Sequence, residues 1–281
     1  MEKRPNDTIE TLRAEFANVR KTAIVGHIRP DGDCISSCLA LYHYLKDNYG
    51  YEADVYLQPY PSVFDMLPDT AVIRHTVKPE VYDVVYSIDC ADADRIGAGK
   101  ELFDSAKKRV MIDHHISNDG FGDFYKIDPQ ASATCEVLCQ IFEEDKISKE
   151  CAQCLYTGIV HDTGVFKHSN TTRKTMEYAG MLLEKGVSTT KIIDETFYQK
   201  TFVQNQLLGK ALLKSQLYAD GQIIISNLSE QDFEELHAST SDSDGIIDQL
   251  RITKGVEAAI FLYPIENGYK VSMRSNEKVK V

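Results

Sequence analysis

The chain has 281 residues, and its 31 basic and 43 acidic residues give a formal net charge of −12. With 26% charged and 43% hydrophobic residues, the composition is that of a globular protein of one or two domains, which excludes disordered and fibrous classes. An acidic surface repels a polyphosphate backbone, so we expect no binding to long nucleic acid through a broad basic face. A short anionic ligand would need local positive charge from a few Arg or Lys residues or from bound cations.

The N-terminus is polar and lacks the apolar core of a signal peptide, and no apolar run is long enough to span a bilayer. We therefore expect a cytoplasmic protein without membrane contact. Six of the seven cysteines fall in pairs at helical spacing inside apolar segments, Cys34/Cys38, Cys135/Cys139 and Cys151/Cys154, which is typical of buried reduced thiols. Because the last pair has no second Cys or His pair nearby, a zinc or redox role is not favoured.

The first half of the chain alternates between apolar strands and helical repeats. The apolar run Thr22–His27 is followed by helical spacing over Cys34–Tyr49 and a stop at Gly50. Further strands are predicted at Glu52–Tyr56, Asp83–Ile88 and Arg109–Ile112. Further helices are predicted at Ala131–Glu144, Lys149–Thr163 and Thr172–Glu184. This order predicts a doubly wound α/β domain with a parallel sheet over residues 1–186.

The pattern changes after Gly186. A polar stretch rich in Ser, Thr and Lys is predicted to be a linker over 187–200. Beyond it we predict a long helix Thr201–Tyr218, a strand Gln222–Ser226, a helix Glu230–Leu236, and a hairpin of strands Val256–Tyr263 and Tyr269–Met273 with its turn at Asn267–Gly268. Residues 201–281 are therefore expected to form a second, smaller α+β domain.

Acidic and imidazole side chains follow three of the predicted strands. They are His27, Asp31, Asp33, Asp89, Asp113, His114 and His115. Because the carboxyl ends of parallel strands line the crevice where ligands bind, we expect these side chains to converge. Asp162, in the segment Asp162–Phe166, adds a further acid to the set.

Carboxylates at this density need compensating charge, because like charges a few ångströms apart raise one another's pKa. Two divalent cations would bring that charge, and imidazoles would complete the coordination. A mixed nitrogen and oxygen ligand set suits Mn²⁺ or a similar ion, and two ions about 3.5–4 Å apart are a standard arrangement for phosphoryl transfer. The alternative is that each residue only caps a helix or closes a turn, as Asp31 to Asp33 would before a helix. Their occurrence at all of these strand ends favours the cations.

These residues resemble the motifs of the DHH phosphoesterase superfamily. The resemblance rests on Asp113-His114-His115 after a strand, His27-x-x-Pro30-Asp31-Gly32-Asp33, and Asp162-Thr163-Gly164-x-Phe166. The strand Val271–Asn276 resembles part of the DHH-associated C-terminal domain. Within the superfamily the arrangement is similar to the bacterial nanoRNases, oligoribonucleases that also act as 3′-phosphoadenosine 5′-phosphate phosphatases. The resemblance implies hydrolysis of very short oligonucleotides, such as pApA, to mononucleotides with two divalent cations, expected to be Mn²⁺.

The resemblance also implies which residues hold the ions. One ion would be held by His27, Asp31 and Asp89, and the other by Asp33, Asp89, His114 and Asp162. Asp89 would therefore bridge both.

The remaining residues would act on the substrate or on a ligand. His115 would lie against the substrate phosphate, and Asp113 would orient a neighbouring imidazole. Arg274, with Ser275 and Asn276 beside it, would reach across a cleft between the domains to bind a phosphate. The predicted catalytic residues are His115, Asp89 and Arg274.

The sequence departs from the family pattern in two places. After Asp-Gly-Asp the family usually has Ala and then Gly-Ser, whereas here Cys34–Ser37 stands in their place. The family's C-terminal domain normally continues into a glycine-rich loop with a histidine, and this sequence ends before such a loop, so we expect the second domain to be incomplete.

Three other interpretations stay open at this point. The same scaffold would suit a dedicated 3′-phosphoadenosine 5′-phosphate phosphatase or a hydrolase of cyclic-dinucleotide products. A different class would be a metal-dependent nucleotide-binding regulator without turnover. A homodimer is also left open.

Overall fold

A computed structural model of the chain describes residues 5–17 and 21–276. Its contacts divide the chain into two compact units, Met1–Tyr198 and Gln199–Val281. The segment predicted as a linker, 187–200, is helical over residues 189–198 and buries Ile192 in the core of the first unit. Most of that segment therefore folds with the first unit, because its apolar side chains pack there.

The first unit is built on a six-stranded parallel sheet with the strand order β3-β2-β1-β4-β5-β6. The strands are β1 Thr22–Val25, β2 Asp54–Tyr56, β3 Ile73–Arg74, β4 Val84–Ile88, β5 Lys108–Asp113 and β6 Phe124–Ile127. This confirms the doubly wound parallel sheet that the sequence predicts. The two edge strands were not predicted, because β3 has only two residues and β6 mixes polar and apolar residues behind a glycine-rich loop.

Helices cover both faces of this sheet. They are α1 Ile9–Ala17, α2 Gly32–Tyr49, α3 Lys100–Ser105, α4 Thr134–Ile141, α5 Lys149–Asp162, α6 Arg173–Glu184 and α7 Thr189–Ile193, with a π-helical turn at Asp194–Tyr198. Along β1, Ile24 belongs to the core cluster that contains α2 and α5, whereas Ala23 and Val25 belong to the cluster that contains α3. Burial on both faces explains the uninterrupted apolar runs of the central strands.

Local sequence sets the bounds of the helices. The predicted stop of α2 at Gly50 is confirmed, since Gly50 has a φ of 71° and its N–H bonds to the carbonyl of Lys46. The helix predicted over Ala131–Glu144 is shorter, because Ala133 is still extended with a φ of −157°. Among the described residues no helix is both long and apolar enough to cross a membrane.

The strand order reverses between β1 and β4, since the chain proceeds outward from β1 to β2 on one side and from β4 to β5 on the other. In open α/β sheets such a switch point opens a crevice at the carboxyl ends of the strands. His27 and Asp89 follow β1 and β4 and therefore stand at this point.

The second unit contains a four-stranded mixed sheet with the order β10-β9-β8-β7. Its strands are β7 Gln216–Tyr218, β8 Ile223–Asn227, β9 Ala258–Ile265 and β10 Gly268–Ser275, and its helices are α8 Phe202–Leu213, α9 Glu230–Glu235 and α10 Ile246–Arg251. The predicted hairpin is present as β9 and β10, with Ile265 paired to Gly268, one residue away from the predicted turn.

The long helix predicted over Thr201–Tyr218 is wrong in its second half. The helix ends at Leu213, and β7 pairs antiparallel with β8 through a turn in which Ala219, Asp220 and Gly221 all have positive φ. Pairing with β8 overrides the local helical pattern, as tertiary contacts often do for short segments.

Candidate metal centre

His27 lies at the end of β1 and is 3% exposed. Its Nδ1 is 2.8 Å from the carbonyl oxygen of Ile28, while its Nε2 is 3.6 Å from Asp31 Oδ1 and 3.5 Å from Asp89 Oδ2. A carbonyl only accepts hydrogen bonds, so the contact with Ile28 favours a proton on Nδ1 and a lone pair on Nε2. A metal-ligating histidine has this orientation.

Asp31 and Asp33 lie at the start of α2. Asp31 Oδ1 accepts the N–H of Cys34 at 3.1 Å and so caps the helix, as the capping interpretation expects. Asp33 is 1% exposed, and its carboxylate accepts the backbone N–H groups of Thr134 and Cys135 at 2.6 and 3.1 Å. Burial raises the pKa of Asp33 well above its usual value, and the nearby charges of Asp89 and Asp162 raise it further.

Asp89 is the central acid of the cluster. Its φ of 60° lies in the left-handed region, which is uncommon for a residue other than glycine, and its side chain is 2% exposed. Oδ1 accepts a hydrogen bond from the Thr134 hydroxyl at 2.8 Å. Burial raises the pKa of Asp89, although hydrogen bonding to His27 opposes that rise.

His114 connects Asp89 to Asp162. Its Nε2 is 3.1 Å from Asp162 Oδ2 and 3.8 Å from Asp89 Oδ1, and its Nδ1 is 3.3 Å from the carbonyl oxygen of Ala131. Burial alone would lower the pKa of His114, but the surrounding carboxylates outweigh it and raise the pKa to about 10. These carboxylates therefore create a potential that favours positive charge at this position.

His115 is held by a chain of buried polar groups. Its Nδ1 donates to Asp113 Oδ1 at 2.7 Å, and the Asn118 amide donates to Asp113 Oδ2 at 2.6 Å and to the carbonyl of Cys90 at 2.9 Å. Asp113 is fully buried, whereas His115 is 37% exposed. Burial raises the pKa of Asp113, but the hydrogen bond and charge of His115 together with the hydrogen bond from Asn118 outweigh it and lower the pKa.

Three groups of side chains in the described residues bring candidate ligand atoms within 4.8 Å of one another. These groups are His27 with Cys34 and Asp89; Asp89 with His114 and His115; and Asp33 with His114 and Asp162. Nitrogen and carboxylate oxygen dominate, and both His27 and His114 direct Nε2 toward carboxylates, so the residues fit a first-row divalent cation.

Two features of these groups were not predicted. Asp31 belongs to none of the three groups, although its Oδ1 is 3.6 Å from His27 Nε2. Cys34, predicted as a buried thiol, is buried but also places its Sγ 3.3 Å from the backbone nitrogen of His27. Sequence reasoning also missed Thr134 and Asn118, whose only signal was a polar residue near a motif.

Three of the residues predicted to bind phosphate, Arg274, Ser275 and Asn276, lie in and just after β10 of the second unit. Arg274 is exposed and its Nη1 donates to the carbonyl of Met273 at 3.1 Å. The Asn276 amide donates to the carbonyl of Val256 at 2.7 Å and accepts from Arg251 at 3.0 Å. Asn276 therefore anchors the end of β10 within its own unit.

Comparison with known proteins places this geometry in a family. Residues 21–159 match the model of the DHH family, N-terminal domain. The chain is 30% identical over 256 residues to the bifunctional oligoribonuclease and PAP phosphatase NrnA of Thermus thermophilus, covering 90% of this chain and 75% of that protein. It is 26% identical over 260 residues to NrnA of Bacillus subtilis, covering 90% and 80%. The crystal structure of an exopolyphosphatase-related protein from Bacteroides fragilis matches with a TM-score of 0.83 at 26% identity, covering 96% of this chain and 83% of that one. The chain belongs to the DHH family.

Proposed function

We propose that this chain is a two-metal phosphodiesterase that hydrolyses short oligoribonucleotides, such as pApA, to mononucleotides. The observation that carries the proposal is the convergence of imidazoles and carboxylates around Asp89 at the switch point of the sheet. The names of the relatives from Thermus thermophilus and Bacillus subtilis support the substrate class.

The proposed cofactors are two Mn²⁺ ions. Their ligands would be His27, Asp31 and Asp89 for one ion, and Asp33, Asp89, His114 and Asp162 for the other. When bound, the ions supply Lewis acidity that stabilises negative charge on the reacting phosphoryl group. The protein holds these ligands with fixed hydrogen bonds, since the carbonyls of Ile28 and Ala131 orient the two imidazoles.

His115 is proposed to contact the phosphate of the substrate. Since its Nδ1 donates to Asp113, its Nε2 is the nitrogen available to a ligand. The hydrogen bond with Asp113 raises the pKa of His115, which favours an imidazolium that donates to an anionic oxygen. Asp113 and Asn118 fix the ring so that this donor does not have to be ordered when the substrate binds.

The second unit is proposed to contribute Arg274 and Ser275 to phosphate binding. Arg274 is exposed at the end of β10, and a planar guanidinium matches the geometry of a phosphate. Asn276 is proposed to bind substrate beside them, and the hydrogen bonds of its amide with Val256 and Arg251 hold this strand end.

A second candidate activity is the removal of the 3′-phosphate from 3′-phosphoadenosine 5′-phosphate. The relatives' names include PAP phosphatase beside oligoribonuclease, and a two-metal centre suits a phosphomonoester as well as a diester. Hydrolysis of a cyclic-dinucleotide product is the same chemistry on pApA. A regulator without turnover would bind these nucleotides but would release no mononucleotide.

The test is a panel of initial rates with Mn²⁺ or Mg²⁺ over pApA, 3′-phosphoadenosine 5′-phosphate, pyrophosphate and 5′-labelled RNAs of increasing length. We expect the rate to fall steeply beyond about five nucleotides, since a surface of net charge −12 repels each added phosphate. A flat or rising profile with length would favour an exonuclease of long strands. Binding of the nucleotides without release of product would instead support the regulator.

Two further expectations belong to this proposal. All seven cysteines are free and buried, which suits a reducing compartment, and we propose a cytoplasmic enzyme. Light scattering of the purified chain would test the homodimer that the sequence leaves open.

A further inference from the structure

Arg95 lies beside the candidate metal centre but has no role in it so far. It belongs to the short helical stretch Ala93–Gly99 that follows β4, and its carbonyl accepts the N–H of Ile28 at 2.7 Å. This backbone bond ties the stretch to the segment after β1. The Arg95 side chain is half-buried, and its Nη2 is 3.3 Å from His27 Nδ1.

The guanidinium of Arg95 is poorly satisfied. Its Nε is buried without a hydrogen-bond partner, and in the described part of the chain no carboxylate oxygen lies within 4 Å of it. Two other arginines of the first unit are paired with carboxylates, since Arg74 lies 2.7 Å from Asp54 and Arg109 lies 2.8 Å from Asp123. A half-buried cation without a counter-ion is costly unless an anion binds it.

The contact of Arg95 with His27 does not satisfy it either. A nitrogen of neutral imidazole either donates or accepts, so Nδ1 cannot donate to the Ile28 carbonyl and accept from Arg95 Nη2 together. When Nε2 of His27 is used as a metal ligand, Nδ1 carries the proton and donates to the carbonyl at 2.8 Å. Nη2 of Arg95 then has no acceptor in this contact, in addition to the unpartnered Nε.

We propose that Arg95 binds a non-bridging phosphate oxygen of the substrate at the metal centre. The inference rests on the proposed function, and it places a phosphate-binding cation on the same unit as the metal ligands, in addition to Arg274. A phosphate oxygen accepts from a guanidinium at short distance and would supply the acceptor that Nε and Nη2 lack.

The experiment compares the wild type with Arg95→Met, Arg95→Lys and the control Arg74→Met. Arg74 lines the same small pocket as His27, and its guanidinium is already paired with Asp54. Arg74→Met therefore removes the same charge as Arg95→Met without removing an unpaired guanidinium. Calorimetric titrations measure the binding of Mn²⁺ alone and then of inorganic phosphate to the Mn²⁺-loaded protein, and steady-state rates on pApA separate KM from kcat.

We expect Arg95→Met to bind phosphate at least about tenfold more weakly, as the loss of a charge-assisted hydrogen bond requires, and to raise KM for pApA. Arg95→Lys should recover part of this loss, because it keeps the charge without the planar donors. Mn²⁺ affinity should stay unchanged in both, and Arg74→Met should behave as the wild type.

Two results would overturn the inference. One is phosphate binding by Arg95→Met and Arg95→Lys as tight as that of the wild type. The other is a parallel loss of Mn²⁺ affinity, which would make Arg95 a residue that positions His27. If the wild type binds phosphate in an Arg95-dependent way but does not cleave pApA, the inference holds and the proposed substrate is wrong.

Discussion

The negative charges around two buried acids of this chain, Asp232 and Asp89, are compensated in different ways. In the second unit, the side chain of Asp232 is 7% exposed, accepts the N–H and hydroxyl of Ser229 at 2.7 and 2.8 Å, and pairs with Lys214 and with Lys210. In the first unit, the carboxylate of Asp89 has only imidazoles as ionisable donors within 4 Å among the described residues.

The pKa values of these buried acids shift in opposite directions. Burial raises the pKa of each acid, but for Asp232 the contacts with Lys214 and Ser229 outweigh burial and lower it. For Asp33 and Asp89 burial dominates, and the pKa stays raised. The protein thus compensates Asp232 with its own lysines, whereas the cluster around Asp89 has no such cation among the described residues. A buried acid cluster of the second kind is a candidate functional site.

The largest effect is expected for Asp89→Asn, because Asp89 is proposed to bridge both ions. Turnover should fall by at least about a thousandfold, since several kcal/mol of transition-state stabilisation depend on the ions. Elemental analysis should find fewer than two ions per chain. Asp232→Asn is the matched control, a buried acid that should keep both activity and metal content.

Retention of two ions at full occupancy in Asp89→Asn would contradict the bridging role. Loss of metal in Asp232→Asn would contradict the purely stabilising role of Asp232, because it would show that Asp232 and the cluster around Asp89 are not independent.

The next effect concerns Gly32, between Asp31 and Asp33. A Cβ at this position would lie 2.4 Å from Cγ of His161, which is itself held by Thr196 at 2.9 Å and packed between Phe64 and Phe197. Gly32→Ala should therefore displace the start of α2 and weaken Mn²⁺ binding by about ten- to a hundredfold, the range seen when support of metal ligands is lost.

Gly180→Ala is the control for Gly32→Ala, because a Cβ at Gly180 in α6 meets nothing within 4 Å. The double variant Gly32→Ala with His161→Ala should recover part of the affinity, since the contact with the imidazole ring is removed while the 2.7 Å contact with Cβ of residue 161 remains. Equal Mn²⁺ affinity of Gly32→Ala and wild type in calorimetry would show that this packing does not fix the start of α2.

The sequence predicts the candidate ligands around Asp89 because they follow strand ends, and a parallel sheet brings strand ends together independently of the loop conformations. His27, Asp89 and His114 could be placed on this basis alone. Thr134 and Asn118 could not, because their hydrogen bonds to Asp89 and Asp113 depend on how separate loops close over the sheet. The pairing of Asp232 with lysines could not be predicted from the sequence either, since tertiary packing brings Lys214 and Asp232 together.

Burial of the strands decides which of them could be predicted from the sequence. The central strands β4 and β5 are buried on both faces, so their sequence carries a strong apolar signal. In contrast, β7 has all three residues exposed and exists through its pairing with β8. From the local pattern alone, the predicted helix therefore continued through this segment to Tyr218.

A smaller effect is expected for Asn118→Ala. Its amide supports Asp113, which in turn orients His115, so removing it should lower kcat by about tenfold and leave Mn²⁺ affinity within a factor of two. Asn48→Ala serves as the control, since the Asn48 amide donates to the backbone carbonyls of Tyr44 and Lys146 and not, among the described residues, to a carboxylate. An unchanged kcat in Asn118→Ala would show that the orientation of His115 through Asp113 and Asn118 does not contribute to turnover.

The smallest effect is the contribution of Asp232 to stability. Asp232→Asn should lower the free energy of unfolding at pH 7 by about 1–2 kcal/mol, which corresponds to about 2–6 °C in Tm for a chain of this size. Because the pKa of Asp232 is lowered in the folded chain, the carboxylate stabilises the protein fully at pH values above its usual pKa of 3.8. The advantage of the wild type over the variant should shrink as the pH falls below that value, since the unfolded chain then binds a proton that the folded chain rejects. Thermal unfolding of both proteins in EDTA from pH 7 to pH 3 measures the difference without a contribution from bound metal. A difference in Tm that stayed constant or grew toward pH 3 would show that the lysine pairs do not hold Asp232 ionised, and the contrast with the cluster around Asp89 would lose its physical basis.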